Sequence, residues 1–111
     1  MKHPEFKTSQ EAYEYAITHG KLDAHNENLI SQDAKCSYNY ALSILKGRFE
    51  LGEPAISQHP GYSYCYSRDI FVGKLPEEWH NKMILWAMGN NKYARLYLKY
   101  TKKHENSTSR T

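Results

Sequence analysis

Residues 37–49, SYNYALSILKGRF, and residues 63–75, SYCYSRDIFVGKL, are two copies of one pattern separated by 26 positions. When the longer segments 27–49 and 53–75 are aligned with this shift, 9 of the 23 positions are identical. A repeat of this length usually corresponds to one supersecondary unit that buries its apolar face against the next copy. The sequence therefore predicts a stacked-repeat protein.

Each copy carries the signals of a helix followed by a turn. The longer helix is predicted to begin after Asp33 in one copy and after His59 in the next, because Asp is a favourable N-cap and Pro60 suits a first helical turn. Both helices are predicted to end at a glycine, Gly47 or Gly73, which adopts a left-handed conformation at little cost. A shorter helix is expected to follow.

A shortened earlier copy precedes these two. Its helix is predicted to start at Thr8, which forms a capping box with Glu11, and to end at Gly20. One repeat position holds a small residue in all three copies, which predicts that neighbouring helices approach closely there. The three small residues are Ala16, Ala41 and Ser67.

Two longer helices are predicted at the C-terminal end. The first starts at Pro76 and runs to Gly89, and the second follows from Asn90. The fold expected is all-α, a compact array of short helical-hairpin repeats with a period of about 26 residues, closed by these two helices. We expect a single domain over residues 1–103 and a disordered tail over residues 104–111.

Composition and charge narrow the class of protein. Residues 1–91 carry 9 Lys or Arg and 11 Asp or Glu, whereas residues 92–111 carry 6 and 1, so the positive excess lies at the C-terminal end. No segment has the apolar length of a membrane span or a secretory signal, which predicts a cytoplasmic protein. Cys36 and Cys65 are expected to be buried free thiols.

The sequence offers no catalytic or metal-binding pattern. The six histidines show no spacing typical of zinc ligands, and no glycine-rich phosphate loop occurs. Adjacent carboxylates at Glu77 and Glu78 point in different directions on a helix, so they are better explained as favourable charges at a helix start. We therefore expect a protein that is not an enzyme and that uses no metal, cofactor or small-molecule substrate.

Aromatic residues are the first candidates for partner contact. Tyr38 and Tyr64 are expected in the core, whereas Tyr40 and Tyr66 lie about 200° round the helix and are exposed unless each helix is packed between neighbours. Exposed rows of tyrosine are typical of interface hot spots. Two tryptophans on the long helix, Trp79 and Trp86, complete the aromatic candidates.

Basic residues supply two further candidate sets. Lys21, Arg48 and Lys74 recur after the repeat glycines, either as contacts for an acidic partner or a phosphate backbone, or simply as cations beside the exposed carbonyls of a helix end. On the last helix, four basic residues form either a nucleic-acid-binding face or the solvated face of a capping helix. The four are Lys92, Arg95, Lys99 and Lys102.

The repeat resembles a short repeat found in several copies in uncharacterised proteins of tailed bacteriophages, with the approximate pattern YAxxVxKGRxPEGExxIxxDxxxAYxYA. The resemblance covers roughly residues 11–79, and the chain departs from the pattern in its shortened first copy and from Trp79 onward. The matching residues are Tyr40, Ala41, Lys46, Gly47, Arg48, Phe49, Gly52, Glu53 and Ile56, and again Gly73, Lys74, Leu75, Pro76, Glu77 and Glu78.

The resemblance implies a small phage accessory protein that acts inside a bacterial host cell. Together with the repeats and the surplus of Tyr and Trp, it predicts a non-catalytic module that binds a host protein, such as a defence protein, and inhibits or redirects it. The alternative prediction is a nucleic-acid-binding module that uses the basic C-terminal helix.

Overall fold

The computed structural model describes the backbone of residues 5–109 and the side chains of residues 5–103. This part of the chain is 74% helical and contains no strand, which confirms the all-α class. The α-helices are α1 (Ser9–His19), α2 (Ala24–Ile30), α3 (Ala34–Asn39), α4 (Glu53–Ile56), α5 (Pro60–Tyr66), α6 (Glu77–Met88) and α7 (Lys92–Ser109).

The chain divides into two compact units, Met1–His59 and Pro60–Thr111, whereas the sequence predicts a single domain over residues 1–103. Helices α1 to α4 belong to the first unit and α5 to α7 to the second. The helix α7 continues through Ser109, within the segment 104–111 that the sequence predicts as a tail. Residues 110 and 111 of that tail lie outside the described part of the chain.

Side-chain caps fix the starts of α1, α2 and α3 in the first unit. The Thr8 hydroxyl accepts a hydrogen bond from the backbone N–H of Glu11 at 3.1 Å, and the Asp33 carboxylate accepts one from Cys36 at 2.8 Å. These two caps confirm the predicted starts of α1 and α3. A further cap, Asp23, starts α2.

Helices α3 and α5 each continue without a break into a π-helical segment, Tyr40–Leu45 in the first unit and Ser67–Phe71 in the second. The left-handed residue that ends each segment is Lys46 (φ 54°) or Val72 (φ 53°), which directly precedes the glycine. The left-handed residue therefore lies one position before the predicted glycine, although Gly73 (φ 157°) also has a positive φ, whereas Gly47 does not.

The hydrogen bonds at these two ends explain the difference. The Gly47 N–H donates to the Ala41 carbonyl at 3.1 Å, and the Gly73 N–H donates to the Ser67 carbonyl at 3.1 Å. Each bond spans six residues, so it closes a turn wider than that of an α-helix. In each of these turns the left-handed residue, Lys46 or Val72, directly precedes the glycine that donates the bond.

Each unit has its own core. The three small residues predicted to allow close helix approach are fully buried. The core of the first unit also contains Ala12, Leu22, Ile30, Tyr40, Phe49 and Ile56. The core of the second unit also contains Tyr66, Leu75, Trp79, Met83, Ala94 and Tyr97.

Gly52, in the 3₁₀ turn Glu50–Gly52, is the tightest backbone approach in the first unit. A Cβ at this position would lie 2.5 Å from Ser37 Cβ and 2.7 Å from Phe49 Cδ2. Gly52→Ala should therefore lower the free energy of unfolding by about 1–3 kcal/mol, because the turn must move away from α3.

Urea unfolding monitored by circular dichroism measures this loss. Gly47→Ala is the matched control, because the nearest atom to its added Cβ is a backbone oxygen 3.9 Å away. Equal stability of the two variants would contradict the packing described for Gly52.

Candidate functional site

A buried tyrosine hydroxyl joins three elements of the first unit. Tyr40, where α3 meets its π-helical extension, is fully buried. Its hydroxyl accepts a hydrogen bond from the backbone N–H of Leu22 at 2.9 Å and donates one to Glu27 Oε2 at 2.6 Å. Lys21 Nζ lies 2.9 Å from the same carboxylate oxygen. The hydroxyl thus connects α3 to α2 and to the loop that follows α1.

The surroundings of Tyr40 keep its hydroxyl neutral. Burial raises the pKa of Tyr40, and the hydrogen bond to the Glu27 carboxylate raises it further. The Glu27 side chain is only 12% exposed, so its charge depends on the hydroxyl and the Lys21 ammonium as partners. This arrangement is structural, because it satisfies buried polar groups around a ring that no partner can reach.

The second unit contains the same kind of connection, built on the fully buried Tyr97. Its hydroxyl accepts a hydrogen bond from the backbone N–H of Leu75 at 3.0 Å and lies 2.6 Å from His80 Nδ1. In the neutral Nε2–H tautomer of His80, Nδ1 accepts the hydroxyl proton. The imidazole therefore occupies the place that the Glu27 carboxylate has in the first unit.

Tyr97 and His80 were not among the residues selected from the sequence. The sequence feature that could have identified Tyr97 is its pairing with Ala94, because the two residues have the same spacing as Ser37 and Tyr40. Ala94 and Ser37 are both fully buried. The last helix, which was predicted to be an atypical capping element, therefore carries the same small-residue and tyrosine pair as α3.

Three of the aromatic residues predicted to bind a partner lie in the core. Tyr40 and Tyr66 are 0% exposed and Trp79 is 8% exposed. Tyr66 and Trp79 stack with their ring centroids 5.6 Å apart, and Trp79 Nε1 donates to Ser63 Oγ at 2.9 Å. The assignment of these residues as partner contacts is corrected, because their rings are used in packing within each unit.

The other tyrosine row is the more accessible one. Tyr38 and Tyr64, which were expected in the core, are half-buried. Tyr64 lies beneath the Arg68 guanidinium, whose carbon is 5.3 Å from the ring centroid. Arg68 is in turn held by two hydrogen bonds to Asp69, which raise its pKa. The Tyr64 ring is therefore covered by a charged side chain that is already paired with Asp69.

Two of the basic candidates after the repeat glycines have different surroundings. Arg48 is exposed but forms a two-point contact with Glu53 at 2.9 and 2.7 Å, and Glu50 lies 3.5 Å away. Lys74 is exposed. Since the Arg48 guanidinium is already engaged by carboxylates of its own unit, it is a weak candidate for contact with an acidic partner.

Helix α6 exposes large apolar side chains on its outer face. Leu85 is 68% exposed and Met88 is 76% exposed, and these residues lie one turn apart on the same face. Trp86 is half-buried, with Lys82 Nζ 5.5 Å from its ring centroid. Of the predicted aromatic contacts, Trp86 is the one that remains beside an accessible apolar surface, which we call the α6 apolar surface (Lys82, Leu85, Trp86 and Met88).

Helix α7 exposes its basic side chains along one face. The four predicted residues are exposed, and so is Lys103. Among the side chains of residues 5–103, no carboxylate lies within ion-pair distance of these five cations. An open depression of about 490 Å³ lies at the start of this face, lined by Asn90, Lys92, Arg95, Leu96 and Lys99.

Cys36 is a buried thiol of the first unit. It is 2% exposed, and its Sγ lies 3.5 Å from Gln10 Oε1. Burial, with a smaller contribution from Asp33, raises the pKa of Cys36 to about 12. A thiol held protonated in this way is a poor nucleophile. Cys65 is half-buried rather than fully buried as predicted.

Within the described residues, no three His, Cys, Asp or Glu side chains converge in a way that could hold a metal ion. In the same part of the chain, no helix combines the length and apolar character needed to span a membrane. Comparison with protein-family models, curated proteins and solved structures gives no match.

Tyr40→Phe should destabilise the protein by about 1–3 kcal/mol, because it leaves the Leu22 N–H and the buried Glu27 carboxylate without the hydroxyl. Chemical unfolding measures the change. Tyr93→Phe is the control, since Tyr93 is 42% exposed and its substitution should change stability by less than about 0.5 kcal/mol. A Tyr40→Phe protein as stable as the control would contradict the structural role of the hydroxyl.

With Cys65→Ser, Cys36 becomes the single thiol, and the folded protein should react with a thiol reagent far more slowly than the urea-unfolded protein. The raised pKa of Cys36 also contributes to the pH dependence of the free energy of unfolding. The unfolded thiol loses its proton near its ordinary value of 9.0, whereas the folded one keeps it until about 12. The contribution of the Cys36 thiol to the free energy of unfolding is therefore fully present below pH 9.0 and is lost as the pH rises towards 12. Rapid labelling of the native protein would contradict the burial of Cys36.

Proposed function

We propose that this chain is a non-catalytic protein-binding module, a bacteriophage accessory protein that binds a host protein in the bacterial cytoplasm and inhibits or redirects it. A host defence protein is one target of this kind. The observation that carries the proposal is the exposure of Leu85 and Met88 on adjacent turns of α6. The resemblance of the repeat to phage proteins supports the cellular setting.

The α6 apolar surface has the composition of an interface centre. Exposed leucine and methionine lose unfavourable contact with water when a partner covers them, at about 25 cal/mol for each Å² buried. Met adapts its shape to different partners, and Trp is enriched among the residues that dominate binding energy. Lys82, which lies over Trp86, adds a charge at the rim of the surface.

The chemistry of the two units supports a binding role rather than catalysis. Catalytic groups combine a shifted pKa with access to a substrate. Of the residues with raised pKa values, Cys36 and Tyr40 are buried at 2% and 0% exposure, and the exposed Arg68 is paired with Asp69. Their partners are groups of the fold itself, so these shifts are explained by burial and packing.

The proposal is tested by replacing the exposed apolar residues. Leu85→Ser with Met88→Ser should leave the fold intact, because both side chains are more than two-thirds exposed. The double variant should lose the stoichiometric partner that the wild-type protein captures from nuclease-treated bacterial lysate. Binding to the purified partner should weaken by more than about 10-fold, as expected when interface anchors are removed.

Leu51→Ser is the matched control, because Leu51 is 52% exposed and belongs to the first unit. It should retain the partner. Loss of the partner in both variants, or its retention in both, would contradict the assignment of the α6 apolar surface. Failure of the wild-type protein to capture any partner would contradict the proposed function itself.

A further inference from the structure

The basic face of α7 is not used by the proposed function. In the sequence, the second unit carries 9 Lys or Arg and 4 Asp or Glu, a balance of +5, whereas the first unit carries 6 and 8, a balance of −2. Three basic residues elsewhere in the structure, Lys21, Arg48 and Arg68, are paired with carboxylates. The exposed cations of α7 have no such pairing among the described side chains, which leaves their charge available to a ligand.

The spacing of these cations suits a chain of phosphates. Lys92, Arg95, Lys99 and Lys102 follow one another at intervals of three or four residues, so they lie on one face of the helix. At a rise of about 1.5 Å per residue, successive cations are about 4.5–6 Å apart along the axis, and the row spans about 15 Å. An extended nucleic-acid strand places its phosphates at a similar separation.

The depression at the start of α7 adds an apolar contact to this row. It brings Leu96, which is 38% exposed, together with Lys92, Arg95 and Lys99. A ligand that fits must carry an apolar face beside its negative charges. The unpaired bases of a single strand provide such a face, whereas a duplex turns its bases inward and presents mainly its backbone to a surface of this kind.

We propose that the α7 basic face binds the phosphate backbone of a single-stranded nucleic acid, with a base packed against Leu96 in the depression. The cations supply affinity without reading sequence, and the apolar contact favours a single strand over a duplex. This surface lies on a different helix from the α6 apolar surface, so either can be removed without the other.

The test is fluorescence anisotropy of a labelled 20-nucleotide oligo-dT with the full chain, repeated over a range of salt concentrations. Each phosphate contact contributes a slope of about −0.7 to log K against log salt concentration. Wild-type protein with four contacts should give about −3. The variant Lys92→Gln, Arg95→Gln, Lys99→Gln should give a slope about 2 units shallower, and its affinity at 0.1 M salt should fall on the order of 100-fold.

A charge-matched control separates this face from net charge. Lys7→Gln, Lys35→Gln, Lys46→Gln removes three exposed cations of the first unit and the same total charge. It should bind oligo-dT like the wild-type protein. Equal loss in the two triple variants, or no salt-dependent binding by the wild-type protein, would overturn the proposal.

Two further probes test the chemical class of the ligand. Leu96→Ser should weaken binding to oligo-dT several-fold and leave binding to a 20-base-pair duplex unchanged. Polyglutamate of equal charge should bind more weakly than oligo-dT. Tighter binding of polyglutamate would assign the face to an acidic protein, and tighter binding of the duplex would contradict the single-strand assignment. If the variant Lys92→Gln, Arg95→Gln, Lys99→Gln retains the partner from the lysate, the proposed protein-binding function does not depend on the basic face of α7.

Discussion

The hydrogen bonding of a buried tyrosine hydroxyl is the constraint on which both units depend. In each unit, a loop that follows a glycine and a basic residue places one backbone N–H in the core, at Leu22 or Leu75. A buried N–H without a partner is costly, and neither residue lies in a helix that could supply one. Tyr40 and Tyr97 provide the acceptor, and Glu27 and His80 complete their hydrogen bonding. The tyrosines therefore hold the loop, the following helix and a distant helix together.

This role of the tyrosines explains which parts of the structure could be predicted from sequence. Helix starts at Thr8 and Asp33 were predictable, because a cap is a local interaction between residues three apart. Which of the two tyrosine rows is buried could not be predicted, because both rows consist of the same residue type. That choice depends on Tyr40 meeting the N–H of Leu22, 18 positions earlier, and no local pattern encodes such a contact. The π-helical turns escaped prediction because their residues are equally compatible with an α-helix.

The burial of the predicted contact residues also determines which side chains the surface offers for binding. Placing Tyr40, Tyr66 and Trp79 in the cores removes the aromatic anchors that the sequence suggested for partner binding. The two candidate binding surfaces lie on two helices of the second unit. The outer face of α6 is apolar at Leu85 and Met88, and the exposed face of α7 is basic. A protein partner and a polyanion would therefore meet different residues, which is why the two binding roles can be examined separately.

Amide hydrogen exchange at Leu22 and Leu75 tests the central claim most directly. Both N–H groups lie in loops, so protection there reports the bond to a tyrosine hydroxyl rather than a helical hydrogen bond. The structure predicts that these two amides exchange as slowly as the amides of the helical cores, whereas their exposed neighbours Lys21 and Lys74 exchange rapidly. Rapid exchange at Leu22 and Leu75 in the native protein would contradict the account.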